Sequence, residues 1–321
     1  MELHHLRTFV AIADAGGVGR AAVVLNLSQP ALSRQIHGLE QALGVRLFDR
    51  IGRRIRLTSE GEDLLQRSRR LLADATSLGE RARALKGGET GVLRVGATPQ
   101  VIENVLARFL PRYRRRHPGV QVHLVEEGGN KLHECLDHGE FHVGIMTAGD
   151  PRFHFRPLFP WAGLAVMTRS HRLSHRRTVD ITELAEEPVL LLRRGFGSRA
   201  AFDEACRIAD ITPPLLLESG APHSLIALAR AGYGVAVIPS PVLPSVAQLH
   251  RSGARAIPIV QGKHTLGGWV GATWDPRRFQ APYARSFVEE LIAYVGRAYP
   301  GRGFAAHAPP IPRPAPSPSG G

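Results

Sequence analysis

Residues 27–61 read LSQPALSRQIHGLEQALGVRLFDRIGRRIRLTSEG. Ser28 offers a hydroxyl for an N-cap, and Pro30 stands in the first turn, where its missing N–H costs no intrahelical bond. Leu32, Ile36, Leu39 and Leu43 recur at i, i+4, i+7 and i+11, so a helix from Ser28 to Leu43 has one buried stripe. Its opposite face carries Gln29, Ser33, Arg34 and His37. After Gly44, the side chains of Val45, Leu47 and Phe48 can pack, and Ile51-Gly52-Arg53-Arg54 predicts a basic turn between short extended arms, a wing. Residues 46–56 hold Arg46, Arg50, Arg53, Arg54 and Arg56 against Asp49 alone.

Upstream, Leu3, Leu6, Phe9, Val10 and Ala13 fall at helical spacing, and Gly16-Gly17 ends that helix. A short helix around Arg20 to Leu25 follows, then a tight turn at Asn26-Leu27. Two helices, a turn and a polar-faced third helix predict a winged helix-turn-helix, with the third helix in the major groove of DNA. Ser28, Gln29, Pro30, Ser33, Arg34 and His37 lie where base edges and the nearest phosphates are met, Arg34 being able to grip guanine. Arg50, Arg53 and Arg54 are assigned to backbone and minor-groove contacts, which add affinity and salt dependence without sequence choice.

Thr58-Ser59 begins a long helix, with Ser59 and Glu62 in capping-box spacing and no breaker worse than Gly61 and Gly79 before Gly87-Gly88. Leu64, Leu71, Leu78 and Leu85 occupy every seventh place, with Ser68, Ala75 and Ala82 between them, the pattern of a short coiled coil. At about 1.5 Å per residue the helix reaches roughly 40 Å, so it is both spacer and dimerisation surface. Beyond it the rhythm alternates: VLRVGA, a helix from Ile102 to Arg116, VQVHLVE, a helix from Lys131 to His138, then HVGIMT. A second run has GLAVMT, PVLLL, helices from Ser198 to Asp210 and Ser224 to Ala231, and GVAVIP. Strands near Ala256 to Val260 and Gly268 to Thr273 and a helix from Pro276 to about Tyr299 close it. This is α/β architecture in two lobes. From Pro300 the chain is rich in Pro, Gly, Ala and Ser and is expected to stay mobile.

A length of 321 residues exceeds the roughly 100–200 of one domain, so several folded units are expected. Hydrophobic residues at 43% and charged ones at 21% exclude a disordered or fibrous class. The net charge of +13 favours a polyanionic partner, nucleic acid first. Of 41 Lys plus Arg, only Lys86, Lys131 and Lys263 are lysine, which leaves 38 arginines, the side chain shaped for bidentate contact with phosphate or guanine. Codon usage in a GC-rich genome produces the same excess, so charge alone does not assign the partner. Two cysteines, Cys135 and Cys206, cannot build a disulfide framework, and Met1-Glu-Leu-His-His lacks the start of a secretion signal. No stretch approaches the ~20 apolar residues that span a bilayer, so the expectation is a cytoplasmic protein with no membrane role.

The arrangement resembles the LysR-type transcriptional regulators over residues 1 to about 297. Ser-Gln-Pro, Leu-Ser-Arg-Gln-Ile, Leu-Glu, Leu-Gly and Leu-Phe-Asp-Arg, all within Leu27 to Gly61, match that family's pattern without a gap. One departure is Gly16-Gly17-Val18-Gly19, where the family shows Gly-Ser, then an apolar residue and Thr or Ser; glycine still serves as an N-cap, while two hydroxyls that could meet phosphate are absent. The resemblance implies a winged helix-turn-helix over 1–58, a linker helix over 59–90 and a two-lobed effector domain like type 2 periplasmic binding proteins over 91–299. Lobe I takes about 91–161 and 268–299, and lobe II about 162–267. Residues 300–321 are left as a disordered Pro-rich tail. Implied partners are double-stranded promoter DNA, a small effector and further copies of the chain, as homodimer or homotetramer through residues 59–86, with RNA polymerase as a candidate. No cofactor, metal or catalytic residue is implied.

Ligands of such folds meet strand carboxyl ends and helix amino ends, where free N–H groups favour carboxylates, so a small anionic effector is expected in the cleft between lobes. The loops so selected, which the resemblance also selects, offer Thr98, Gln100, Gly129, Asn130, Thr147, Phe196, Gly197 and His223. Two other sensing chemistries are open to the sequence, a metal-responsive regulator and a redox sensor. His133, Cys135, His138 and His142 are metal-capable and close in sequence, although on a helix His133 and Cys135 point apart. Redox sensing would need a closely spaced thiol pair, whereas Cys135 and Cys206 fall in different lobes and read as buried. An enzyme is disfavoured: Gly195-Phe196-Gly197-Ser198-Arg199 lacks the third glycine of a dinucleotide fingerprint, and neither a Gly-x-Ser-x-Gly elbow nor a Walker sequence occurs.

Overall fold

The computed structural model describes residues 1–51, 54–85, 90–243, 249, 253–297, 299–307 and 309–310. Contacts divide the chain into two compact units, Met1–Gly88 with Asp137–Glu140, and Glu89–Leu136 with Phe141–Gly321.

The first unit opens with α1 (Leu3–Ala15), α2 (Val18–Leu25) and α3 (Gln29–Leu43). Gly16 ends α1 in the left-handed region at φ 63°, and the Arg20 guanidinium donates to the Ala15 and Gly16 carbonyls that the helix end leaves open. Helix α2 starts two residues earlier than the sequence suggests, on Gly17 as N-cap without a side-chain cap. Ser28 caps α3, its Oγ accepting from the Ala31 N–H at 3.3 Å. The apolar stripe then does its work: Leu32, Leu39, Phe9, Ile12 and Leu47 are wholly buried, each adding about 1.5–3 kcal/mol.

The hairpin β1 (Phe48–Ile51) and β2 (Arg54–Leu57) pairs Phe48 with Leu57 and Ile51 with Arg54. Helix α4 (Ser59–Leu85) follows. Its cap is Thr58 and not the expected Ser59: Thr58 Oγ1 accepts from the Gly61 N–H at 2.9 Å and donates to the Arg46 carbonyl, while Ser59 bonds its neighbour Glu60. The Thr58 bond to Arg46 draws the helix start onto the wing, one residue ahead of the capping-box reading. Gly61 has a specific use there, since a Cβ would lie 2.2 Å from the Leu47 carbonyl.

The second unit holds β3 (Gly91–Ala97), β4 (Val120–Glu126), β5 (Val143–Thr147), β6 (His154–Thr168), β7 (Val179–Asp180), β8 (Val189–Leu192), β9 (Leu215–Ser219), β10 (Val235–Pro239), β11 (Ala254–Gln261), β12 (His264–Thr265) and β13 (Gly267–Trp274). Its helices are α5 (Pro99–Val101) running through a π-segment, Ile102–Leu106, into α6 (Ala107–Arg116), then α7 (Gly129–Asp137), α8 (Gly197–Ile208), α9 (Pro222–Arg230) and α10 (Pro282–Val295). Helix α10 begins later than Pro276 because Asp275 accepts from the Arg277 N–H and fixes a turn.

The sheet order is β4-β3-β5-β13-β6-β10-β8-β9, with β11 beside β6, β7 and β12. β6 serves both lobes. Its first part pairs β13, ending at Ala162 opposite Gly267, and from Gly163 onward it pairs β10 and β11. Lobe I packs Phe109, Tyr113, Phe159, Phe287 and Leu291 around β3 and β5; lobe II packs its apolar side chains on both faces of its own strands.

The reading of residues from 300 onward as a disordered tail is corrected over Arg302–His307, which form a 3-10 turn with Phe304 buried in the lobe II core. One aromatic ring among small residues is enough to anchor a segment when a core groove receives it. Residues 311–321 lie outside the described residues.

Candidate functional site

On the first unit, Ser28, Gln29, Pro30, Ser33, Arg34 and His37 are all exposed on one side of α3, whose opposite face holds the buried Leu32 and Leu39. The hairpin is held to the end of this helix by a residue the sequence reading passed over. Glu40 Oε1 accepts from the Leu47 N–H at 2.8 Å and the Phe48 N–H at 3.4 Å, so a carboxylate fixes where the wing leaves the helix. Its signal was only its place three residues before the α3 terminus. Arg50 and Arg54 lie on the backbone of the hairpin strands; their side chains and all of Arg53 are outside the described residues.

Helix α4 divides its leucines. Leu65 and Ser68 are buried and Leu64 and Leu72 half-buried within the first unit, whereas Leu71, Leu78 and Leu85 are exposed by 49%, 71% and 79%. Three of the four seam leucines are thus left uncovered by their own chain.

In the second unit a cavity of about 80 Å³ lies where the two lobes meet. Thr98, Gln100, Gly129, Thr147, Phe196 and Gly197 all line it. Asn130 and His223 do not: the Asn130 N–H donates to the Gly195 carbonyl at 2.8 Å, and His223 Nε2 sits 3.3 Å from Glu103. Each of those contacts joins a lobe I residue to a lobe II residue, and with Gly197 lying against Thr147 they hold the lobes close.

Most of the wall was missed, namely Val101, Ile145, Met146, Trp161, Leu192, Pro239, Pro241, Val242 and Val270. Such residues read as ordinary core, but the rule that picked the other loops, strand carboxyl ends, also points to Pro239–Val242 after β10. Among the described residues no ionisable side chain lines the cavity. Arg199, one residue from the lining Ser198, is buried and bonds Asp203 at 2.7 Å, the Leu192 carbonyl at 2.8 Å and Glu218. Burial alone would lower its pKa, but the hydrogen bonds it donates to Asp203 and Glu218, with their charges, outweigh this and raise it, so it braces β8 and β9 as a cation.

The metal-capable cluster does not assemble: Cys135 and His138 are buried, His142 bonds Arg94, and among the described residues no three His, Cys, Asp or Glu converge. Burial lowers the His133 pKa against a smaller opposing pull from Asp150. Both thiols are buried, Cys135 in lobe I and Cys206 in lobe II. Among the described residues no helix is long and apolar enough to cross a membrane.

A winged helix-turn-helix followed by a long helix and a two-lobed α/β domain with a small apolar cleft defines the class of one-chain, ligand-responsive DNA-binding regulators. Residues 3–62 match the model of the bacterial regulatory helix-turn-helix proteins of the lysR family, and residues 86–296 match the LysR substrate binding domain. An uncharacterised HTH-type transcriptional regulator of Escherichia coli, YnfL, is 31% identical over 298 residues, 91% of this chain and 98% of YnfL. A full-length OxyR variant from Pseudomonas aeruginosa is similar in structure at TM-score 0.67 and 25% identity, covering 94% of this chain and 99% of OxyR. Full-length CbnR complexed with its target DNA is similar at TM-score 0.61 and 27% identity, covering 91% of this chain and 99% of CbnR. The chain belongs to the LysR family of transcriptional regulators. It is a DNA-binding regulator and not an enzyme, and nothing supports the metal-responsive alternative.

Proposed function

We propose that this regulator works in the cytoplasm as a homodimer or homotetramer on promoter DNA, α3 entering the major groove and the arginine hairpin lying on the adjoining backbone. The observation that carries the reading is the division of α3, with the exposed Ser28, Gln29, Pro30, Ser33, Arg34 and His37 on one side and the wholly buried Leu32 and Leu39 on the other. The exposed Leu71, Leu78 and Leu85 support pairing through α4 over the span 59–86, which would set two recognition helices about one DNA turn apart. RNA polymerase is the partner such a complex would recruit or occlude.

The effector binds in the inter-lobe cavity in this reading. Its body is apolar, to match the wall, and its anionic end rests on the first turn of α8, which no side chain caps. With no cationic side chain among the described residues of the wall, helix N–H groups are what would support the charge. The cavity is about half the ~150 Å³ that admits benzene in an apolar protein interior, so a larger effector must first part the lobes. That gives the ligand differential affinity for a more open arrangement, which is what a switch requires.

Fluorescence anisotropy on operator DNA tests the first half. Arg34→Ala should cost about 1–3 kcal/mol on the operator and relax base preference, whereas Arg53→Ala should weaken all DNA alike and flatten the salt slope. Parent-like binding by both variants sinks the docking. For the second half, thermal shift of the chain against a library of small organic acids should find a stabilising compound whose effect is lost in Phe196→Ala.

A further inference from the structure

The residues after α10 cross from one lobe to the other behind the cavity. Tyr299 stacks on Phe159 of the lobe I core, ring centroids 5.5 Å apart and planes 14° from parallel. Two residues on, Gly301 takes φ 79° and comes so near Ser240 that a Cβ would lie 2.8 Å from its backbone. Phe304 then enters the lobe II core, the cluster that also holds Ala162, Leu164, Val242 and Leu243, and its 3-10 turn packs on β6. Further along, the Pro309 and Pro310 carbonyls both accept from Trp269 Nε1 at 3.1 Å.

What these contacts touch gives them meaning. Ser240 Oγ accepts from the Ala162 N–H at 3.1 Å, at the point where β6 changes partners between lobes, and the Gly163 N–H donates to the Leu266 carbonyl at 2.7 Å in the other crossing. Pro239, Pro241 and Val242, on either side of Ser240, are cavity wall. The segment therefore presses on the outer side of the turn whose inner side faces the cavity.

We infer that Tyr299–His307, with Pro309 and Pro310, is a strap that fastens the two-strand crossover and sets the position of the Pro239–Val242 wall. Gly301 and Phe304 are its positioning residues: neither lines the cavity, Gly301 acting through Ser240 and Phe304 through β6 and the core cluster it shares with Val242. Any effector-driven parting of the lobes must bend the strands at Ala162–Gly163 and so work against this third connection. The consequence for regulation rests on the cavity being the effector site; the mechanical role of the strap does not.

Amide hydrogen exchange on the full-length protein tests the strap. Phe304→Ala, Gly301→Val and a chain stopped after Arg297 should each raise exchange at Ala162, Gly163 and Leu243 by about tenfold or more, while β3 and β5 keep the parent's rates. Parent rates at those three amides in all three variants overturn the strap. So does an equal rise across both lobes, which would mark Phe304 as core filler only. Loosened crossover amides in a protein that no library compound stabilises would uphold the strap and sink the effector reading instead.

Discussion

Leu78→Ala is the substitution that isolates the α4 seam. Leu78 is 71% exposed in the single chain, so the free chain has little to lose by its truncation. The exchange removes three carbon groups, about 2.4 kcal/mol of transfer free energy when wholly buried. Scaling by the 71% that only association can cover leaves about 1.7 kcal/mol per chain and about 3.4 kcal/mol for two chains. At about 1.4 kcal/mol per tenfold, the dimer Kd should rise by roughly 300-fold. Leu65→Ala is the control: at 7% exposed it packs inside its own chain, so it should lower the head's thermal stability by about 2–5 kcal/mol and leave the seam alone. Sedimentation of both variants over a dilution series reads the two effects apart. A Leu78→Ala dimer no weaker than the parent's would refute the seam as the interface.

Three other outcomes follow from the same packing. Gly61→Ala puts a Cβ 2.2 Å from a Leu47 carbonyl already bonded by the Thr58 N–H, so the head should lose about 1–3 kcal/mol in thermal unfolding. For Asp275, burial pushes the pKa up, but hydrogen bonds from Arg277 and the charges of Arg277 and Arg278 outweigh it and hold the carboxyl below the ordinary aspartate range. A depressed native pKa stabilises the fold above the unfolded value and is lost as pH falls through the native one, so acid unfolding below about pH 4 should become shallower in Asp275→Asn. Burial first, and Asp203 second, push the Cys206 thiol up to about 11, so iodoacetamide at pH 8 should leave it unmodified until the protein unfolds.

The recognition helix was legible because its information is local. Ser28, Pro30 and a leucine stripe at helical spacing settle a helix and its buried face before any other part of the chain is considered. The α/β alternation was legible for the same reason. Polar cleft loops were found by a geometric rule that needs only strand and helix ends, and that rule brought six of eight residues to one cavity. It misplaced Asn130 and His223 because their partners, Gly195 and Glu103, come from the other lobe.

Sequence by itself therefore determined the elements, the family pattern and which face of α3 is free, since side-chain period and caps act within a few residues. Tertiary structure alone decided the rest: that Thr58 and not Ser59 caps α4, that Glu40 holds the wing, that the cavity wall is apolar and uncharged, and that Phe304 anchors residues a compositional reading leaves loose. The cavity and the Phe304 anchor depend on pairs far apart in the chain, such as Tyr299 against Phe159 or Gly301 against Ser240, and the caps and the wing on groups that only the folded turn brings together. Burial of an apolar ring, or satisfaction of a backbone N–H, is a property of the site that receives the group, and no local pattern encodes that site.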